Sequence, residues 1–386
     1  MTLRTTIPAG RVPGDAGRTF AGCTFVVPPV DSRAGYSVAR PAPAGLAVRM
    51  RIEQLDMADA DKIRACHEAA LAAQRVDEPE SPWFTERPFR GWLTVGWGGD
   101  PREVWLAAGR DSVAGWYRLE LPDKENLDQA NLNLVVHPAE RRHGLGLVLL
   151  RHAAARAAAH GRSVLNGAAR RGSAGEAFSR SIGAKPGLVD VQRMLDVGKL
   201  EEGKLAALRA AAERAAAGYS LVSWTGLVPD EYIEQAVALY IALNDAPHDP
   251  EIAPERWDAQ RVRERVNDLR PHFGLRTYAV AARHDATGEL AAVTEVAADP
   301  ADPGVGHQMY TVVTRKHRGH RLGLLVKIAM MELLATTEPQ LERIDTWNAE
   351  SNEHMIAVNE AMGYAVIGPP NTWYRLDVAA VSGSPG

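Results

Sequence analysis

The chain has 386 residues, of which 46% are hydrophobic and 24% charged, with a net charge of −4. That length exceeds what one hydrophobic core usually fills, so two domains are expected. The mild acidity without a long basic run argues against nucleic acid as a partner, and no stretch reaches the roughly 18 apolar residues that a membrane span needs.

Residues 1–45 are rich in Pro, Gly, Ala and Arg without a sustained period, and read as a flexible extension. Phe20 to Cys23 look a little like a lipoprotein cleavage site, but polar, Gly-rich residues stand where an apolar region would be required. With Cys23 and Cys66 as the only cysteines, there is neither a disulfide framework nor metal-ligand spacing, which fits a reducing, cytoplasmic setting and no metal.

From Leu46 strand and helix patterns alternate. Leu46 to Ile52 reads as a strand, Ala58 to Ala73 as a helix, and Glu103 to Ala108 with Ser112 to Leu121 as a hairpin turning at Arg110 and Asp111. Asn131 to Val136 is a strand, Gly144 to Ala159 an apolar helix, Ser163 to Leu165 a strand, Gly175 to Ile182 a helix, and Val189 to Leu195 a last strand. Leu200 to Ala216 is helical in period and reads as a connector. The order then recurs: strand Tyr219 to Trp224, helix from Pro229 to about Leu243, hairpin Tyr278 to Arg283 and Glu289 to Val296, and strand Met309 to Thr314. Helix Leu322 to Leu334, strand Arg343 to Trp347 and helix His354 to Met362 complete it. The implied domains are 46–198 and 218–380, joined by a helix over 199–217 and followed by a tail over 381–386. The class is α/β with mixed sheets.

In the first copy, Val135 and Val136 lead through Arg141, Arg142 and His143 into Gly144, Leu145 and Gly146, where a helix begins. A strand, a small-residue turn and a helix start gather unpaired N–H groups at the positive end of a helix dipole, a setting for phosphate. The arginines add charge that matches a pyrophosphate. In the second copy Val312 and Val313 lead into Arg318, Gly319, His320, Arg321, Leu322 and Gly323. A plain glycine-stopped turn explains either stretch alone; the recurrence favours a ligand.

Both stretches resemble the acyl-CoA loop of the GCN5-related N-acetyltransferases, a Gln or Arg, two residues, Gly, one residue, then Gly or Ala. The first copy matches it fully, whereas Arg321 stands in place of the first glycine in the second. The resemblance covers about Leu46 to Val378 and implies two domains, each a central mixed, splayed sheet flanked by helices, with acetyl-CoA or a related acyl-CoA as cofactor. It places thioester-binding amides at Val135, Val136, Val312 and Val313, and a pantetheine contact at Asn352 in the stretch "NEHMIAVNEAMGY". Gly172 takes that place in the first copy. The Tyr often found seven residues after the Asn is replaced by Asn359 and, in the first copy, by Ser179.

Transfer to an alkylamine must supply its free base, at a cost on the order of 4 kcal/mol at neutral pH, and must return a proton to the departing thiolate. Glu295, in the apolar run "LAAVTEV", is the candidate base in the second copy, since a carboxylate with apolar neighbours can carry a raised pKa. A Glu on a solvent face is the plainer alternative. Arg118, Glu120, Asn131 and Asn133 are weaker candidates in the first copy. Tyr310, Tyr364 or water would stand in for the missing acid, and Asn359 completes the candidate set. Asn244, Asp245 and Gln308 are the candidate acceptor contacts, although Asn-Asp before Pro is also an ordinary helix stop. Trp83, Trp92, Trp97 and Trp105 would line a pocket or belong to the core. The leading reading is N-acetylation of a small amine by a monomer or homodimer. Two alternatives stay open: a tRNA-dependent aminoacyl transferase, and a non-catalytic acyl-CoA sensor.

Overall fold

The computed structural model describes residues 36–39, 49–109 and 112–382. The remainder of the N-terminal extension with its Cys23, the turn at Arg110 and Asp111, and residues 383–386 lie outside the described residues.

The first set of elements is β1 (Tyr36–Ala39), β2 (Arg49–Gln54), α1 (Ala60–Asp77), α2 (Glu86–Thr94), β3 (Arg102–Ala108), β4 (Val113–Glu120), β5 (Gln129–Val136), α3 (Leu145–Ala159), β6 (Val164–Arg170), α4 (Ala174–Ser181) and β7 (Lys185–Asp196). Helix α5 (Glu202–Ala215) follows. The second set is β8 (Tyr219–Thr225), α6 (Ile233–Leu243), α7 (Ala259–Val262), α8 (Arg270–Phe273), β9 (Arg276–His284), β10 (Leu290–Asp299), β11 (Asp302–Val313), α9 (Leu322–Thr337), β12 (Arg343–Ala349), α10 (Glu353–Met362), β13 (Ala365–Val366), β14 (Asn371–Asp377) and α11 (Val378–Ser382).

Local chemistry explains most boundaries. Asp59 opens α1 by accepting from the Lys62 N–H at 3.0 Å, and Ile63, Cys66, Ala70 and Ala73 bury the stripe that a 3.6-residue period brings together. Strand β10 is buried along its whole length because α6 covers one face and α9 the other. Strand β11 begins seven residues before the sequence reading placed it. Its Pro303, Gly304 and Gly306 disguise a strand, yet at Gly306 a Cβ would sit 3.2 Å from Leu341 and 3.4 Å from Val296, so the close packing requires glycine there.

The strands form one mixed sheet in the order β1-β2-β3-β4-β5-β6-β14-β7-β12-β11-β10-β9-β8. Strand β1, inside the stretch read as an extension, pairs antiparallel with β2. Two ladders are parallel and short. β5 meets β6 only from Gln129↔Val164 to Asn131↔Asn166, and β11 meets β12 only from Val305↔Arg343 to His307↔Asp345. Beyond those rungs each pair diverges and opens a cleft in the sheet. At the centre the two sets trade strands: β14, from the end of the chain, pairs with β6, and β7 pairs with β12.

The tryptophans do not share one pocket. Trp92 packs with Phe89 and Trp116 on the α1 and α2 side, Trp97 stacks on Phe273 at 3.9 Å, and Trp105 lies against His152 of α3.

Candidate active site

Each cleft ends at one of the two turns, and the turns share a backbone. Arg142 (φ 67°) and Gly144 (φ 84°) are left-handed in the first; Gly319 (φ 89°) and Arg321 (φ 54°) are left-handed in the second. The glycine and the arginine have traded places. Arg321 therefore holds the conformation that the loop needs, at the steric cost a side chain pays there, on the order of 1–2 kcal/mol. The N–H groups of Arg142 to Gly146 and of Gly319 to Gly323 find no acceptor among the described residues. Gly144 and Gly319 are exposed, with nothing within 4 Å of a Cβ built on either, while Gly146 and Gly323 pack against Val136 and Val313. A ring of free amides at the start of a long helix, with open space before it, fits a diphosphate.

The first arginine of each loop serves another purpose. Arg141 donates from Nε to the Val136 carbonyl at 3.1 Å and forks onto Asp77, at the end of α1, at 2.9 and 2.6 Å. Arg318 repeats this from Nε to the Val313 carbonyl at 3.4 Å and onto Asp245, just past α6, at 2.7 Å. Asp245 also takes Arg315, whose guanidinium, ahead of burial and Arg318, holds its carboxyl below the ordinary range. In this structure, then, Arg141 and Arg318, expected at the phosphate, and Asp245, expected at the acceptor, are engaged in clamps that fix the turns. Arg142, His143, His320 and Arg321 remain exposed around the free amides. Asn244 is likewise engaged, bracketing the Glu255 backbone at 2.8 and 2.9 Å.

Beside the second cleft, Glu295 is buried, but not among apolar groups. It pairs with Arg270 and accepts from Tyr310 Oη at 3.0 Å, and Tyr310 in turn meets Tyr240 Oη at 3.1 Å. Its sequence neighbours are apolar while its spatial neighbours are polar, so the apolar surroundings expected from the sequence are absent. Burial, then the Glu295 charge, pushes Tyr310 well above an ordinary phenol and Tyr240 up to about 12. Both phenols stay protonated at neutral pH.

Gln308 points to the α9 side. Its Nε2 donates to the carbonyls of Glu295 at 2.6 Å and Tyr310 at 3.0 Å, and its Oε1 accepts from Lys327 at 2.9 Å. Those carbonyls flank a β-bulge. Glu295 faces Tyr310 and Val296 faces Gln308, which leaves Met309 out of the ladder. The first copy has no bulge, since β4 and β5 pair without interruption from Gly115↔Val136 to Glu120↔Asn131. Lys327, fully buried against the Tyr364 ring at 4.6 Å, has its ammonium pushed down to about 7 by burial. Burial raises the Tyr364 phenol, so it too is a poor acid.

Asn352 caps α10, accepting from the Met355 N–H at 3.3 Å; Ser173 does the same for α4. Asn359 is completely buried, donates to Asn348 Oδ1 at 2.7 Å, and leaves its own Oδ1 without a partner. An amide is no acid; what it offers is one spare acceptor. Val135, Val136 and Val313 are half-buried and Val312 is buried, on the strand ends that lead into the turns. The sequence reading missed the bulge, Lys327 and His307, which pairs with Asp345. Chain length holds the signal for the bulge: from the first parallel rung to the turn there are eight residues in Gln129–Val136 and nine from Val305 to Val313.

The profile of the Acetyltransferase (GNAT) family matches residues 64–171. No curated protein sequence matches the chain significantly. Among solved structures, a tandem GNAT protein from the clavulanic acid biosynthesis pathway, solved without AcCoA, is 27% identical; the match spans 87% of this chain and 99% of that one, with a TM-score of 0.70. Residues 64–171 thus carry the GNAT family's pattern, and the chain as a whole has the fold of a tandem GCN5-related N-acetyltransferase. This tandem acetyltransferase also shares its fold with a GCN5-related N-acetyltransferase from Sphaerobacter thermophilus, at 15% identity over 85% of this chain and 96% of that one, TM-score 0.58. A fungal multi-domain GH3 β-N-acetylglucosaminidase carrying a glucosamine N-acetyltransferase region matches at 12% identity, over 87% and 38% of the chains, TM-score 0.57. The tandem acetyltransferase is an enzyme that transfers an acyl group from an acyl-CoA. Among its described residues no helix is long and apolar enough to cross a membrane.

Proposed function

We propose that the tandem acetyltransferase moves the acetyl group of acetyl-CoA to the amine of a small molecule by direct attack of the amine on the thioester, and that the second of its two domains, 46–198 and 218–380, does the chemistry. The observation that carries this is the bulge at Met309. It frees a backbone amide where β11 turns away from β12, and a fixed N–H beside a thioester carbonyl stabilises the oxygen as charge builds on it. The free amides of Gly319 to Gly323 would hold the diphosphate, and Asn352 and the spare Asn359 oxygen suit the amides of a pantetheine arm. A small-molecule acceptor is supported by the 27%-identical relative, which comes from a small-molecule biosynthesis pathway. In the first domain the same turn with an unbroken β5 makes a nucleotide-binding scaffold without the oxygen-binding amide.

Thermal stabilisation by acetyl-CoA, followed by thiol release over a panel of amino sugars, polyamines and amino acids, tests the reading. Saturation at 100 times Kd stabilises by about 2.7 kcal/mol. Arg321→Glu is expected to raise the KM for acetyl-CoA at least tenfold, and Arg142→Glu to leave turnover within twofold. Stabilisation without thiol release from any amine would refute transfer, and the reverse ranking of the two variants would refute the choice of domain.

A further inference from the structure

We infer that His307 is the general base of the second domain, held in place by Asp345; this rests on the reading that the second domain is catalytic. The two residues face each other on the last rung before β11 and β12 part, so they form the floor of the cleft. His307 Nδ1 lies 2.7 Å from Asp345 Oδ1. A carboxylate only accepts at that distance, so it fixes the proton on Nδ1 and leaves the Nε2 lone pair available. Among the described residues Nε2 has no hydrogen-bond partner.

The support beneath Asp345 is built across the exchanged strand. Gln192 of β7 donates to Asp345 Oδ2 at 2.8 Å, and Ser81 Oγ donates to Gln192 Oε1 at 2.7 Å, beside Arg170 of β6. Both carboxylate oxygens are therefore committed and Asp345 cannot turn. Asp345 is the carboxylate paired with the imidazole, with Arg170 and its partner Glu78 beyond Gln192; on β10, Glu295 with Arg270 and Asp299 flank Ala297, which stands opposite His307, and the Phe84 ring faces the imidazole at 4.9 Å. Phe84, Tyr310 and the Arg270 to Glu295 pair lie on the same side of the sheet, opposite Gln308 and Lys327.

The first domain supplies an internal control. On its corresponding rung stand Asn131 and Asn166, two amides that neither give nor take a proton at neutral pH, and Asn166 donates instead to Gln129 at 2.8 Å. Of these two matching rungs, the one with imidazole and carboxylate lies in the domain that has the bulge.

The step balances without another reagent. The ammonium gives one proton to Nε2, the amine lone pair forms the C–N bond, the C–S bond breaks, and the electron pair leaves with sulfur. The remaining surplus amine proton goes to the thiolate, and the imidazolium returns its own to solvent.

His307→Gln keeps a donor for Asp345 but removes the base. It is expected to lose about 10²–10⁴-fold in kcat while acetyl-CoA stabilises it as it does the wild type, and to lose the acidic limb of the kcat/KM profile. Imidazole added to His307→Ala is expected to restore turnover. Independently of turnover, acetyl-CoA is expected to slow diethyl pyrocarbonate modification of His307, read by peptide mass spectrometry. A His307→Gln enzyme within threefold of wild type with an unchanged pH profile overturns this assignment alone. Modification at a rate indifferent to acetyl-CoA also overturns it. A wild type that releases thiol with no amine overturns the parent reading, and this one with it.

Discussion

The two domains are one design carried to different ends. Each has a strand leading to a turn with two left-handed residues, an arginine clamped to an aspartate, and a long apolar helix. They part at single residues. An extra Met309 breaks the β10 to β11 ladder where β4 and β5 run on, His307 and Asp345 replace Asn131 and Asn166, Glu295 replaces Arg118, and Lys327 replaces Leu150. On the proposed reading, the scaffold that presents acyl-CoA is separable from the groups that react with it.

Deleting Met309, which restores the register of the first domain, should have the largest effect. Losing one oxygen-binding amide costs about 10²–10³-fold in kcat, so steady-state kinetics should show that loss with acetyl-CoA stabilisation retained. Next come the clamps. Arg141→Ala strands the half-buried Asp77 and should cost about 1–3 kcal/mol by urea unfolding, whereas Arg318→Ala should cost less because Arg315 still holds Asp245. Equal losses would break the comparison.

Lys327 is expected to make stability depend on pH. Its folded pKa of about 7 lies below the unfolded value near 10.5, so between those values the unfolded chain binds the extra proton. Stability should therefore rise with pH in that window, by at most about 1.4 kcal/mol per pH unit, and be lost as pH falls toward 7. Lys327→Leu, the first-domain residue, should remove that slope in melts between pH 7 and 9. The smallest effects belong to the turns: Gly144→Ala should destabilise by about 1 kcal/mol from backbone strain alone, and Arg321→Gly should stabilise by less than that.

Much of this was legible in the sequence. Alternating periods, the repeat and both glycine turns are local patterns, and they marked the strands and helices that frame the clefts. What stayed hidden depends on contacts between distant residues. Nothing near Glu295 announces Arg270, twenty-five residues upstream. Nothing in the β14 sequence says that it pairs with β6 rather than with its own domain. The clamping aspartates, Asp77 and Asp245, look like helix stops until the turns fold back onto them. Helix α2 and the short helices α7 and α8 lie in Trp-, Pro- and Arg-rich stretches whose apolar positions follow no clean period, and their packing against each other decides their shape.

The most direct measurement is a crystal structure with acetyl-CoA bound. The diphosphate is expected on the amides of Gly319 to Gly323 and the thioester carbonyl beside the Met309 N–H, with His307 facing the open side. A thioester seated only in the first domain's cleft, beside β5, would contradict it.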